Sequence, residues 1–278
     1  MPVVLQADIS DAQLQLYSQL IYGYTGILIS ADKKALLSNR LRRRLKATGI
    51  ATYEEYYKLL KGRRLDSEEW DAFLQDITTH ETYLFRDPGQ WDWFRGDYLQ
   101  SLQEQAKGGG RPKTLRVWSA ACSAGDEPYT IAVCAIADLP QDWRVQILAT
   151  DIGVETLNKA RKATFNERSM RNVPEPLRQR FFTASGDTWK AGQQLSRCIE
   201  FRKHNLMDPL DESPFDIVFI KNVLIYFDTA SKKQVMGHVH RLLAPGGTLV
   251  SGVSEGIADL LQGYERVKSW LHLKPAAR

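Results

Sequence analysis

Val117-Trp-Ser-Ala-Ala-Cys-Ser-Ala-Gly-Asp-Glu-Pro128 runs from an apolar stretch through small residues into helix formers. It reads as a strand, a tight turn and the opening of a helix, with Gly125 able to take the positive φ such a turn often needs. It is not a phosphate loop. GxxxxGK[ST] is missing, and Asp126 and Glu127 would repel a pyrophosphate while suiting a cation or a set of hydroxyls. The same two acids also suit the first turn of any helix, through its dipole alone.

On the C-terminal side the alternation continues. Strands are expected at 115–119, 145–150, 215–220 and 247–251, and helices at 127–137, 154–163 and 231–243, a grammar that predicts a mostly parallel, doubly wound α/β sheet. Ligands in such sheets lie outside the carboxyl ends of the strands. Asp151 stands at one of those ends, 25 residues after Asp126, where Rossmann-like domains place the acid that accepts from ribose hydroxyls; a helix N-cap is the plain alternative. Asn222, Tyr226 and Asp228 follow the strand at 215–220 and fall at the same edge. Carboxylates without a phosphate cradle favour an adenosyl ligand bearing a sulfonium over a dinucleotide. The interval of about 168–203 breaks the alternation and reads as a small antiparallel β insert anchored by Phe181, Phe182, Trp189, Ile199 and Phe201.

On the N-terminal side the pattern is helical from Asp11 to Leu60, with Ser30 an N-cap, and a further helix is expected at 67–76. Leu37, Leu41 and Leu45 form one stripe, Arg42, Arg43 and Lys46 lie opposite, and Arg40 and Arg44 flank them, so this helix presents a basic face. A helix at 88–107 and a flexible joint at Gly108–Gly110 lead into the sheet. Between these regions, Thr78-Thr-His-Glu-Thr-Tyr-Leu-Phe-Arg-Asp-Pro88 is dense in hydroxyls for a linker.

The 278 residues, 43% hydrophobic and 25% charged, exclude a disordered or collagen-like chain. The net charge of +4 hides an asymmetry: residues 30–64 hold eleven basic side chains against Asp32, Glu54 and Glu55, a local +8. Met1–Ser10 has neither a basic n-region nor an apolar core, and no later run approaches a membrane span. Three cysteines without CxxC spacing and five scattered histidines predict no metal site and a reducing cytoplasm.

Taken together these segments resemble the chemotaxis receptor (CheR-type) protein-glutamate O-methyltransferases. Thr78–Pro88 is similar to that family's TTNETYFFRDP, 117–128 to its VWSAGCSTGEEP, Ala149-Thr-Asp-Ile152 to its ATDI, and Asn222-Val-Leu-Ile-Tyr-Phe-Asp228 to its NVLIYFD. Tyr24-Thr-Gly-Ile27, Lys34-Ala-Leu-Leu37 and Arg40-Leu-Arg-Arg-Arg-Leu45 resemble its small helical domain. The resemblance implies a Rossmann-like class I methyltransferase domain at 89–278, preceded by an all-helical domain at 1–88. It implies S-adenosylmethionine as methyl donor, S-adenosylhomocysteine as product, and glutamate side chains on chemoreceptor cytoplasmic helices as acceptors. Carried over by position, the cofactor shell is His80, Thr82, Arg86, Asp126, Asp151, Asn205, Leu206, Asn222 and Val223, with Arg86 and Tyr226 positioning groups near the methyl. His80 stands for the family's usual Asn, Asp126 for Glu, Lys221 for Arg and Ile220 for Cys. Arg40, Arg42, Arg43, Arg44 and Lys46 become the docking face for an acidic receptor helix, reached by a cytoplasmic monomer that acts on membrane-bound receptors without inserting and binds no nucleic acid.

Two other readings compete. A nucleic-acid methyltransferase would use the basic region to grip phosphates, although no RNA- or DNA-binding module, stacking platform or catalytic loop for base methylation accompanies it. A catalytically silent receptor-binding module would keep the fold and bind no cofactor.

Overall fold

The computed structural model describes residues 8–276; the first seven residues, on which part of the N-terminal reading rests, lie outside them. A capping box starts α1 (Asp11–Thr25): Ser10 Oγ accepts from Gln13 N–H, Gln13 Oε1 accepts from Ser10 N–H, and Gly26 at φ +71° ends the helix. A single 3-10 turn at Ala31–Lys33 precedes α2 (Lys34–Thr48), so Ser30 stands before that turn and its side chain caps no backbone N–H, contrary to expectation. A second capping box, Thr52 with Glu55, starts α3 (Tyr53–Gly62), and α4 (Glu68–Ile77) follows. Leu37, Leu41 and Leu45 meet Tyr17, Ile21, Tyr56, Trp70 and Phe73 in a core separate from that of the sheet.

The helix expected at 88–107 forms as α5 (Pro88–Trp93), a π turn over Phe94–Tyr98, and α6 (Leu99–Lys107). Trp91 stacks on Phe219 of the sheet at 5.5 Å, which fixes this segment to the α/β unit. The triple glycine is therefore no joint between units. Gly108 and Gly110 donate to Glu104 O and Gln105 O and so make the turn that ends α6.

The α/β unit runs β1 (Thr114–Ala120), α7 (Asp126–Asp138), β2 (Arg144–Asp151), α8 (Val154–Lys162), β3 (Thr164–Asn166), α9 (Glu167–Met170), α10 (Glu175–Phe181), β4 (Phe182–Ser185) and β5 (Thr188–Ala191). It continues through α11 (Gln193–Ser196), β6 (Ile199–Lys203), β7 (Phe215–Ile220), α12 (Thr229–Leu242), β8 (Leu243–Ser251), β9 (Glu265–Lys268) and β10 (Leu271–Leu273). The main sheet has the order β6-β2-β1-β7-β8-β10-β9, parallel except at β10, which is antiparallel to both neighbours. Strand order reverses between β1 and β7, which opens a crevice at their carboxyl ends. The insert is the three-stranded antiparallel sheet β3-β5-β4, so its strands span 164–191 and not about 168–203. Ile199 and Phe201 leave the insert because they pair in parallel with Ile147 and Ala149 and pack against Ala149 and Leu157.

The helical unit closes over that carboxyl edge. Leu28 N–H donates to Tyr226 O at 2.9 Å, Asn205 Nδ2 to Tyr24 O at 2.6 Å, and the Tyr22 hydroxyl to Asp228 Oδ2 at 2.8 Å. Among the described residues no helix is long and apolar enough to cross a membrane.

Candidate functional site

Six non-glycine residues among those described take positive φ, and five surround the crevice: Phe85 (55°) and Asp87 (63°) on either side of Arg86, Ala121 (60°) and Ser123 (51°) after β1, and Asn222 (58°) after β7. Each such residue costs on the order of 1–3 kcal/mol, so the surrounding structure must hold it there. Gly125 also lies at φ +94°, and a Cβ on it would sit 2.8 Å from Ala160 Cβ. Its missing side chain leaves room for the packing of the turn on α8.

A cavity of about 230 Å³ occupies the crevice. His80, Thr82, Arg86, Asp151, Asn205, Leu206, Asn222, Val223 and Tyr226 all line it, and Arg40 enters it from α2. Asp126 does not line it. That side chain is buried beside Ser169 with Oδ1 unpartnered, and Glu127, one position on, faces the cavity. At the start of a helix consecutive side chains point about 100° apart, so only one of the two acids can look into the crevice.

Asp151, 6% exposed, accepts from Ser123 N–H at 2.8 Å and Gly153 N–H at 2.9 Å. Burial pushes its carboxyl up, against the pull of those two N–H groups and of His80. Burial pushes His80 down, opposed by Asp151, and its Nε2 lies 2.7 Å from Thr78 Oγ1. Glu127 accepts from Ser119 Oγ at 2.7 Å, and burial raises it against Lys221. Lys221 Nζ sits between Asp87 at 3.1 Å and Glu127 at 3.9 Å, over the Trp91 ring. Arg86 Nη2 donates to Asn222 Oδ1 at 3.0 Å, and Lys33 Nζ lies 5.6 Å from the centre of the Tyr226 ring.

The expected docking residues divide. Arg43 is 62% exposed, with Asp76 at 3.6 Å, and Lys46 is exposed; Arg42 pairs with Asp8 at 2.8 Å. Arg44 turns inward, 14% exposed, against Glu69 at 2.9 Å and Asp76 at 3.4 Å, with the Tyr56 hydroxyl on the same Glu69. It ties α2 to α4 and is not offered to a partner. Sequence pattern sets Glu127 only beside Asp126 in the first turn of α7 and gives no role to Glu255, which bonds the loop after β7. A carboxylate four residues past the carboxyl end of β8 was the signal that could have found it.

Among the described residues no group of acids, histidines and cysteines could hold a metal ion. A family model for the CheR methyltransferase all-alpha domain matches residues 12–78, and one for the CheR methyltransferase SAM binding domain matches residues 80–270. The chemotaxis protein methyltransferase of Salmonella typhimurium is 33% identical over 265 residues, covering 92% of this chain and 88% of its own. That of Escherichia coli is 33% identical over 261 residues (91% and 87%), and that of Borreliella burgdorferi 31% over 260 residues (91% and 91%). These matches give the nucleic-acid alternative no support.

Proposed function

The chain belongs to the CheR methyltransferase family and is an S-adenosylmethionine-dependent methyltransferase of chemotaxis, and from that premise we propose that it esterifies glutamate side chains on the cytoplasmic helices of chemoreceptors. One observation carries the reading: a single continuous cavity is lined by Asp151 and Glu127 at the sheet edge, with Lys221 beside Glu127, and by the cations Lys33 and Arg40 from the helical unit. Groups of one sign suit the donor and groups of the other sign suit an acidic acceptor.

The chemistry of the donor set fits the cofactor. Asp151 keeps lone pairs beyond its two backbone bonds for ribose hydroxyls, and buried carboxylates whose charge is disfavoured by desolvation gain from a cationic neighbour. S-adenosylmethionine supplies, when bound, a sulfonium methyl open to displacement. The acceptor carboxylate is already ionised at neutral pH, so the protein needs no strong general base. Its work is alignment. Arg86, locked between two left-handed residues and bonded to Asn222, and Tyr226, held through its backbone by Leu28, are placed to orient the reacting groups. The walls from α2 and from residues 78–83 keep water away, and alignment of this kind contributes about 7–11 kcal/mol in well-oriented systems. His80, Thr82, Asn205, Leu206, Asn222 and Val223 complete the proposed shell, and Arg42, Arg43 and Lys46 steer the receptor helix. The protein works as a cytoplasmic monomer.

Incubation with tritiated S-adenosylmethionine and receptor-bearing membranes should place base-labile methyl ester on receptor protein. Label that resists mild base, or that appears elsewhere than on receptor, would refute glutamate as the acceptor.

A further inference from the structure

The loop that follows β7 carries Asn222, Val223 and Tyr226 into the cavity, yet its conformation is not one that its own sequence favours. Asn222 sits at φ 58°, and Leu224–Tyr226 makes a single 3-10 turn too short to stabilise itself. The first N–H groups of such a turn have no partner within it.

They find one in a carboxylate from a distant part of the chain. Glu255 is 2% exposed; its Oε1 accepts from Asn222 N–H and its Oε2 from Ile225 N–H at 3.2 Å. Room for that carboxylate exists because residue 252 is glycine. A Cβ there would collide with Glu255 Oε1 and come within 3.1 Å of Asn222 N. Ser251-Gly-Val-Ser-Glu255 is thus a short return that brings an acid from the end of β8 under the loop after β7. The neighbouring backbone N–H groups favour the charged form of Glu255 while burial disfavours it.

We infer that Glu255 is a positioning residue, whose carboxylate fixes Asn222 in its left-handed conformation so that Asn222 meets both Arg86 and the cofactor. The inference rests on the cofactor site proposed above. Glu255 does not itself line the cavity, and its effect passes through Asn222.

The test is calorimetric titration of the full chain with S-adenosylhomocysteine, well below the melting temperature of every variant. Glu255→Gln places an NH2 donor against a backbone donor, and affinity should fall about tenfold or more, the loss expected when a buried charge-assisted hydrogen bond goes. Gly252→Ala keeps the carboxylate but removes its room, and should weaken binding similarly. Asn222→Ala should cost affinity in the wild-type background and little in the Glu255→Gln background. Val239→Ala, on the buried face of α12, serves as a control that lowers melting temperature and leaves affinity unchanged. Wild-type binding with an unimpaired Glu255→Gln variant, or strictly additive losses, would overturn the inference alone. Wild-type protein that failed to bind would overturn the cofactor site, and this inference with it.

Discussion

On the sheet side of the cavity the working groups are set by backbone. Asp151 is buried and takes two N–H bonds, Ser123 and Asn222 lie at positive φ, and Arg86 is flanked by two more such residues. On the α2 side the groups are long cations on a regular helix, and Arg43, the most accessible arginine there, has its Nε 3.6 Å from the Asp76 carboxylate and its Nη2 donating to Asp76 O at 3.4 Å. The contrast matches what each wall is proposed to recognise. A small cofactor of fixed shape rewards preorganisation, because every degree of freedom frozen beforehand is not lost on binding. A receptor helix that must be found and released rewards long-range, screened attraction. The sheet wall should therefore respond to mutation steeply and independently of salt, and the helical wall shallowly and with strong salt dependence.

Asp151→Asn strikes the first wall hardest. The amide offers one acceptor where the carboxylate has two, so either Ser123 N–H or Gly153 N–H faces a donor. Affinity for S-adenosylhomocysteine should drop about a hundredfold, with the same ratio at 50 mM and 500 mM salt. An affinity within threefold of wild type would mean that the sheet wall is not the cofactor wall.

How far the sequence anticipated this contrast differs between the walls. Strong period-two and apolar strands at Thr114–Ala120 and Phe215–Ile220, each followed by turn residues, made the parallel core and its ligand edge legible. Strands Glu265–Lys268 and Leu271–Leu273 were invisible, since the first is almost wholly polar and both are short; the pairing of β10 with β8 and of β9 with β10 is decided by tertiary contact. Local pattern also could not say which of Asp126 and Glu127 faces the cavity, nor that Arg44 is neutralised by Glu69 twenty-five positions away. Helical periodicity gives a side chain's face but not what stands opposite it.

The helical wall is tested by charge reversal. Replacing both Arg42 and Arg43 with Glu should raise the KM for receptor about tenfold at low ionic strength and much less at 500 mM salt, while cofactor affinity holds. Arg44→Met makes the internal comparison: it strands Glu69 in a largely buried position, should cost about 1–3 kcal/mol of stability by denaturant titration, and should leave the receptor KM alone. If Arg44→Met moved KM as much as the reversal pair, the division of this helix into a docking face and a packing face would fail.

The smallest effect concerns the acid that the sheet wall does not use. Asp126 is buried with one oxygen unpartnered, and burial pushes its carboxyl up to about 6. A raised carboxyl means that the native chain holds its proton where the unfolded chain has already lost it. Below about pH 4 both states are protonated and the residue costs nothing. As pH rises from about 4 to 6 the unfolded state is increasingly favoured, and above that the penalty is constant. Asp126→Asn removes the charge and keeps the shape, so it should stabilise the protein by about 1 kcal/mol at pH 8, worth a few degrees in melting temperature, and the gain should shrink to nothing as pH approaches 4. Glu127→Gln, one residue along and facing the cavity, should instead weaken S-adenosylhomocysteine binding. Should Asp126→Asn be the variant that loses cofactor, the two acids would have to exchange places.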